Sequence, residues 1–298
     1  MLELAEPYDD EYAASYNERW SRNEAFRPEF EHNMATLRAL ISPQTAWLDA
    51  GCGTGVFLSQ FPGIKRAGFD RSAAMLTEAS KANSSDVLLR QLDLRERADD
   101  WVEKWSLVSA TGQPWTYLPT MQDIHLAIDN LAAYTAASGT CMISFYDLSD
   151  FTSHQLKTHY SEEELGNSFY VSGIVWNHRE DGYLHRHMLL PNADQWIRWL
   201  SHHFLHIEVR PWPVVGLRIS RRVLICSQKR PLGDQSSTQV IEQPTGRWQD
   251  RPLSYFLQRF RPIRPGFWLA VMARLFQRIF KKDQTIKRIV PFQRPGSP

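Results

Sequence analysis

Between Trp47 and Leu58 the chain reads WLDAGCGTGVFL, with Gly51, Gly53 and Gly55 at alternate positions directly behind an apolar run and Asp49. Glycine at that density after a strand means a backbone bent tightly enough to touch a ligand. A phosphate-cradling P-loop is excluded, because no Gly-Lys-Ser/Thr follows. The G-x-G-x-x-G spacing of nicotinamide and flavin proteins is not met either, since Val56 stands three residues after Gly53. Two more acids, Asp70 in GFDRSAAML and Asp93 in RQLDL, close the next two apolar runs.

A second group of chemically able residues lies in FYVSGIVWNHREDGYLHRHMLL. Asp181-Gly182 is a strong hairpin signal. A two-residue turn there sets Glu180 opposite Tyr183, His178 opposite His185 and Trp176 opposite His187. Alternation then gathers Trp176, His178, His185 and His187 on one face. Imidazole suits a general base near neutral pH, so these three histidines are the candidate catalytic residues, with His154 and His159 as alternatives. Three imidazoles could also hold zinc, but no carboxylate is identifiable to orient them and no metal is expected.

The elements that must carry these residues alternate. Two helices fill the first forty residues, DDEYAASYNERW and PEFEHNMATLRALI. TAWLDA, KRAGFD, VLLRQLDL, WSLVSA and TCMISFYDL read as strands. VFLSQF, SAAMLTEASKA and DIHLAIDNLAAYTAA read as the helices between them. Such alternation implies a parallel sheet covered on both faces. Past Asp150 come the hairpin, a helix in NADQWIRWLSHHF, strands in LHIEVRPW and RRVLICSQ, and the polar stretch KRPLGDQSSTQVIEQPTG, which reads as a linker.

LDAGCGTG resembles, nearly letter for letter, the first motif of class I S-adenosylmethionine-dependent methyltransferases. The resemblance extends through Gln228, about three quarters of the chain. It implies an α/β, Rossmann-like doubly wound sheet with S-adenosyl-L-methionine as cofactor. Here the fold carries an antiparallel hairpin insertion and a C-terminal basic amphipathic helical extension. The implied cofactor residues are Asp49, orienting the methionine ammonium; Gly51, Gly53 and Gly55 in the turn; and Asp70, with Arg71 following, on the ribose hydroxyls. Asp93 and Leu94 fall at the adenine, Ser109 and Ala110 border the cofactor, and Tyr16 resembles a lid tyrosine. LVSATGQPWTYL is similar to the loop of methyltransferases acting on amino sugars and small secondary metabolites, and places Trp115 and Tyr117 at the acceptor. It lacks the Asn-Pro-Pro-Tyr of enzymes that modify bases or glutamine amides. The implied activity is methyl transfer to an oxygen or nitrogen of a small-molecule, sugar or lipid-linked acceptor. The alternatives are an RNA or protein methyltransferase, or a non-catalytic scaffold acting through its basic segment.

Length and composition agree with a globular chain: 298 residues, 43% hydrophobic, mean hydropathy −0.42. Cys52, Cys141 and Cys226 lie far apart, which argues against a disulfide framework and for a reducing, cytoplasmic setting. The net charge of +1 hides a split, because residues 247–298 carry 12 Lys/Arg against 2 Asp/Glu and leave −9 on the rest. The expected organisation is a methyltransferase domain over 1–230 (lid helices 1–42, insertion about 151–192), a linker over 231–246 and a basic extension over 247–298. Within the extension, GFWLAVMARLFQRIFKK wound at about 100° per residue gathers Trp268, Leu269, Met272, Leu275, Phe276, Ile279 and Phe280 on one face. Arg274, Arg278, Lys281 and Lys282 take the other. That pattern suits residues 267–282 to an anionic membrane surface, which would make the protein peripheral at the inner face of a membrane. Docking on the parent domain is the other use of such a helix. Nucleic acid is less favoured, because its binders set aromatics beside their charges. A homodimer through the hairpin is the remaining partner.

Overall fold

The computed structural model describes residues 8–22, 27–147, 160–162, 167–172, 175–180, 183–212, 220–243 and 286–292. Two helices, α1 (Asp10–Arg22) and α2 (Arg27–Leu40), precede β1 (Ala46–Ala50), β2 (Lys65–Asp70), α3 (Ala73–Ala82) and β3 (Leu88–Gln91). Then come β4 (Trp105–Ala110), α4 (Met121–Tyr134) and β5 (Thr135–Asp147). β1 pairs in parallel with β2 on one side and β4 on the other, β2 with β3, and β4 with β5. Strand order therefore reverses at β1, and the crevice beyond the ends of β1 and β4 is where this architecture binds ligands.

Each central strand splits its side chains between two faces. Leu48, Val108, Ile143 and Leu224 enter one buried cluster with α4. Their neighbours Trp47, Leu107, Met142 and Val223 enter another with Met34 and Leu37 of α2. Helix starts are capped as their sequences allow. Ser72 accepts the Met75 N–H, Thr120 accepts the Asp123 N–H, and Asn192 with Gln195 forms a capping box at α5 (Ala193–Leu200).

Three expectations need correction. VFLSQF is no α-helix, because only a 3-10 turn at Leu58–Gln60 forms. Pro62-Gly63 follows too soon for a helical nucleus to be extended. The buried Arg66 guanidinium instead donates to the Leu58 carbonyl oxygen at 2.7 Å and holds the turn. Secondly, the stretch 231–246 is not wholly linker. Within it β12 (Thr238–Glu242) pairs in parallel with β10 (Phe204–Trp212) and antiparallel with β13 (Ile286–Val290). With β11 (Ser220–Lys229) the sheet runs β13-β12-β10-β11-β5-β4-β1-β2-β3.

The third concerns the insertion, where β6 (Tyr160–Glu162), β7 (Asn167–Ser172), β8 (Val175–Glu180) and β9 (Tyr183–Leu189) form a separate antiparallel sheet. Glu180 pairs with Tyr183 and His178 with His185, but Trp176 pairs with Met188 rather than His187. β9 carries one extra residue there, a bulge that interrupts the alternation between His185 and His187. The histidine side chains, His154, His159 and residues 267–282 lie outside the described residues.

Candidate functional site

The three motif glycines all adopt left-handed backbone, with φ of +66°, +54° and +67° for Gly51, Gly53 and Gly55. Their reasons differ. A Cβ on Gly51 would lie 2.4 Å from Pro114 Cβ, and one on Gly55 would lie 2.5 Å from Asn83 Nδ2. Those two glycines let other elements approach the turn. Gly53 would meet only the Met75 methyl, at 3.2 Å, so it is the one that leaves open space. The space is a cleft lined on this side by Asp49, Gly51, Gly53, Asp70, Arg71, Asp93 and Leu94.

The three acids arrive there in different states. Asp70 Oδ2 accepts the Gly53 N–H and Oδ1 the Ser72 N–H, both at 2.9 Å. Each carboxylate oxygen has two lone pairs, so one on each oxygen is left for a pair of ligand hydroxyls. Burial raises the Asp70 carboxyl, against the lowering effect of those N–H groups and of Arg71. Burial also acts to raise Asp93, but Arg95 wins and holds it below the usual carboxylate range. Arg95 donates from its main chain and Nε to Oδ1 and from a terminal nitrogen to Oδ2, at 2.8–3.0 Å. The loop bearing Asp93 and Leu94 is pinned from α4. Asn130 Nδ2 donates to the Leu94 carbonyl at 2.9 Å, while the Tyr134 hydroxyl accepts the Ala98 N–H and donates to the Glu96 carbonyl.

Asp49 is 2% exposed, and its Oδ1 accepts from the Ser109 hydroxyl at 2.6 Å. Burial pushes it up to about 7, with Asp70 adding to the rise and Ser109 opposing it.

The opposite wall comes from the loop after β4 and from the N-terminal segment. Thr111, Gly112, Pro114, Tyr117 and Leu118 line it, together with Tyr8 and Tyr16. The Tyr8 hydroxyl donates to the Tyr117 oxygen at 2.7 Å, and its carbonyl accepts from Ser72 Oγ. The Thr54 hydroxyl donates to Asn17 Oδ1 at 2.5 Å, which fastens α1 over the glycine turn.

Among the residues singled out from sequence, Tyr16, Asp49, Gly51, Gly53, Asp70, Arg71, Asp93, Leu94 and Tyr117 meet around one cleft. Ser109 and Ala110 are buried behind its wall, and Gly55 turns toward α3. Trp115 is 3% exposed and packs edge-on against Trp196 at 4.9 Å, away from the cleft. Sequence reasoning missed Tyr8, Asn17, Thr111 and Pro114. The four-residue spacing of Tyr8, Tyr12 and Tyr16 is a signal that could have found the first.

No family model matches the chain, and no curated protein matches it in sequence. Solved structures do. The chain is similar to DesVI of Streptomyces venezuelae, at 19% identity over 72% of this chain and 97% of that one, TM-score 0.54. The sugar N-methyltransferase KedS8 of Streptoalloteichus sp. ATCC 53650 is similar at 17% identity over 72% and 92%, TM-score 0.50. The Burkholderia thailandensis 1,6-didemethyltoxoflavin-N1-methyltransferase, solved with that compound and S-adenosylhomocysteine, is similar at 14% identity over 74% and 86%, TM-score 0.50. At these identities the likeness is one of architecture: the chain has the Rossmann-like class I methyltransferase fold.

Proposed function

We propose that this protein transfers a methyl group from S-adenosylmethionine to an oxygen or nitrogen of a small-molecule, sugar or lipid-linked acceptor. The observation that carries the reading is the cleft at the strand-order reversal, where bare glycine main chain meets Asp49, Asp70 and Asp93, with Arg71 as the one cation among the described residues of its lining. The donor brings an ammonium, a sulfonium and two vicinal hydroxyls, which suits a wall richer in acids than in bases. A polyphosphate would want the reverse, along with a helix N-terminus behind the glycines. Here a single 3-10 turn stands in that place.

When bound, the cofactor supplies an already activated methyl group, so the chain's own work is placement and exclusion of water. Asp70 would hold the ribose, Asp93 and Leu94 the adenine, and Asp49 the ammonium. Tyr8 and Tyr16, carried by the N-terminal segment and α1, would close the cleft from solvent. Tyr117 would present its hydroxyl to the acceptor. For an oxygen acceptor the base would be drawn from His178, His185 or His187; a neutral amine needs none beyond solvent. A small-molecule acceptor also fits the neighbours, two of which are named as a sugar N-methyltransferase and a toxoflavin-precursor N1-methyltransferase.

Calorimetry with S-adenosylhomocysteine tests the donor half: micromolar binding is expected, lost in Asp70→Ala. A screen of amino sugars and lipid-linked sugars with radiolabelled donor tests the acceptor half. Folded protein that ignores the nucleoside at millimolar excess would sink the reading.

The basic segment extends the proposal to a site of action. With its apolar stripe and basic back, 267–282 would lie on an anionic membrane, making the enzyme peripheral. No helix among the described residues is long and apolar enough to cross one. Flotation with phosphatidylserine vesicles is expected for the full chain and not for a variant with Arg274, Arg278, Lys281 and Lys282 changed to Gln.

A further inference from the structure

Behind the cleft wall runs a buried hydrogen-bond chain that the donor reading above does not use. The Trp47 indole Nε1 donates to Ser109 Oγ at 2.8 Å, and Ser109 donates to Asp49 Oδ1 at 2.6 Å. The strands impose it. Asp49 and Ser109 are register partners in the β1–β4 pair, and Trp47 lies two residues before Asp49, on the same face of β1. Trp47 and Ser109 are both fully buried.

The chain runs from indole to hydroxyl to carboxylate. An indole N–H can only donate, so it occupies a lone pair of Ser109 and leaves the hydroxyl hydrogen for Asp49. With Ser109 donating to Oδ1, a proton carried by this carboxyl sits on Oδ2, the oxygen left for a ligand. Asp49 also has fewer donors than its neighbours. One neutral hydroxyl serves it, against two main-chain N–H groups on Asp70 and a guanidinium with a main-chain N–H on Asp93. Among the described residues no lysine, arginine or histidine pairs with Asp49.

We infer that Asp49 is a proton-exchanging clamp positioned by Ser109 and Trp47: neutral in the empty cleft, it ionises as it receives the ligand's ammonium, and binding of the donor releases a proton to solvent. The inference rests on the donor reading above. The balance is simple. The Oδ2–H bond breaks, the proton passes to buffer, and the carboxylate pairs with an ammonium that keeps its own three protons. The rise of the Asp49 carboxyl through burial agrees with this. Of the titratable groups around it, Asp70 acts in the same sense. Asp70 faces it from the end of β2, and the thiol of Cys52 in the glycine turn is itself pushed up by burial and by both acids. Arg71 lines the same cleft, next to Asp70.

The experiment is calorimetry of S-adenosylhomocysteine binding in phosphate and in a high-ionisation-enthalpy amine buffer, between pH 5.5 and 7, where the ligand's ammonium stays charged. Release approaching one proton per site at pH 6 is expected, with affinity rising about tenfold over that range. In Asp49→Asn the release and the pH slope should vanish. Ser109→Ala should move the midpoint to higher pH and Ser109→Thr restore it, whereas a merely structural serine would change stability and leave the midpoint alone. Binding without proton release, or release that persists in Asp49→Asn, overturns the inference while leaving the donor reading intact. Absence of any binding heat overturns both. An independent readout needs no ligand. The folded protein keeps a proton on Asp49 that the unfolded chain gives up near the ordinary carboxylate value of 3.8, so this group's contribution to stability falls as pH rises from about 4 to about 7. Asp49→Asn should flatten that part of the decline, and the part due to Asp70 remains.

Discussion

The two halves of the nine-stranded sheet are built on different principles. From β5 to β3 the strands are parallel, and the central ones, β1 and β4, are buried almost throughout. Their polar residues stand at strand ends, where Asp49, Asp70 and Ser109 meet the cleft or back its wall. From β11 outward the sheet carries charges along its strands. Glu242 of β12 lies 3.7 Å from Arg222 of β11 and 2.6 Å from Arg288 of β13, and Arg288 also reaches Asp194 of α5 at 2.9 Å. Glu208 pairs with Arg210 within β10 at 2.7 Å. One half spends its polarity on a ligand, the other on holding its own edge together. Function and stability should therefore separate under mutation.

The sharpest break of that comparison is Asp70→Ala. It removes two hydroxyl acceptors and the anchor of the Gly53 N–H, and charge-assisted bonds of this kind contribute about 1.5–3 kcal/mol each. A loss of at least about a hundredfold in S-adenosylhomocysteine affinity is expected, with an unchanged circular dichroism spectrum. Gly51→Ala should come next. Its left-handed backbone costs about 1 kcal/mol for a residue with a Cβ, and the overlap with Pro114 costs roughly 1–3 more. Urea denaturation should show a loss in that range, together with weakened binding. Smallest is Glu242→Gln, which removes the carboxylate that Arg222 and Arg288 share at a partly exposed edge. A loss of up to about 1 kcal/mol, shrinking in high salt, is expected, with ligand affinity unaltered. If Glu242→Gln weakened binding as much as Asp70→Ala, the division of labour between the halves would be wrong.

The same division governs what could be read from sequence. The parallel half was legible because its signals are local: apolar runs of strand length, helices of ten residues or more, and a glycine turn directly behind β1. The two outermost strands, β12 and β13, are not legible, although β10 and β11 are. TQVIE has two fully buried residues, Thr238 and Val240, of which only Val240 is apolar. It becomes a strand through β10 and through β13, which lies more than forty residues further along. Pairing at that range leaves no local pattern, and the segment reads as linker from sequence.

The site shows the same limit on a smaller scale. Asp70 and Asp93 are legible from their places at strand ends in register with the glycine motif, and both line the cleft. Trp115 and Tyr117 looked alike as loop aromatics, but the loop is a 3-10 turn from Pro114 to Tyr117. Residues two apart in such a turn point about 240° apart, so Tyr117 meets the cleft while Trp115 joins the core. Asn17 could not be distinguished from any polar residue on an amphipathic helix. Its role appears only once α1 lies over Thr54.

The ring of Pro114 rests on the bare Cα of Gly51 with no room for a methyl group between them. Both residues line the cleft, so the glycine turn and the loop after β4 meet there with no side chain of the turn between them. Close-packed atoms leave no slack at such a contact, so whatever displaces one of the two segments displaces the other as well.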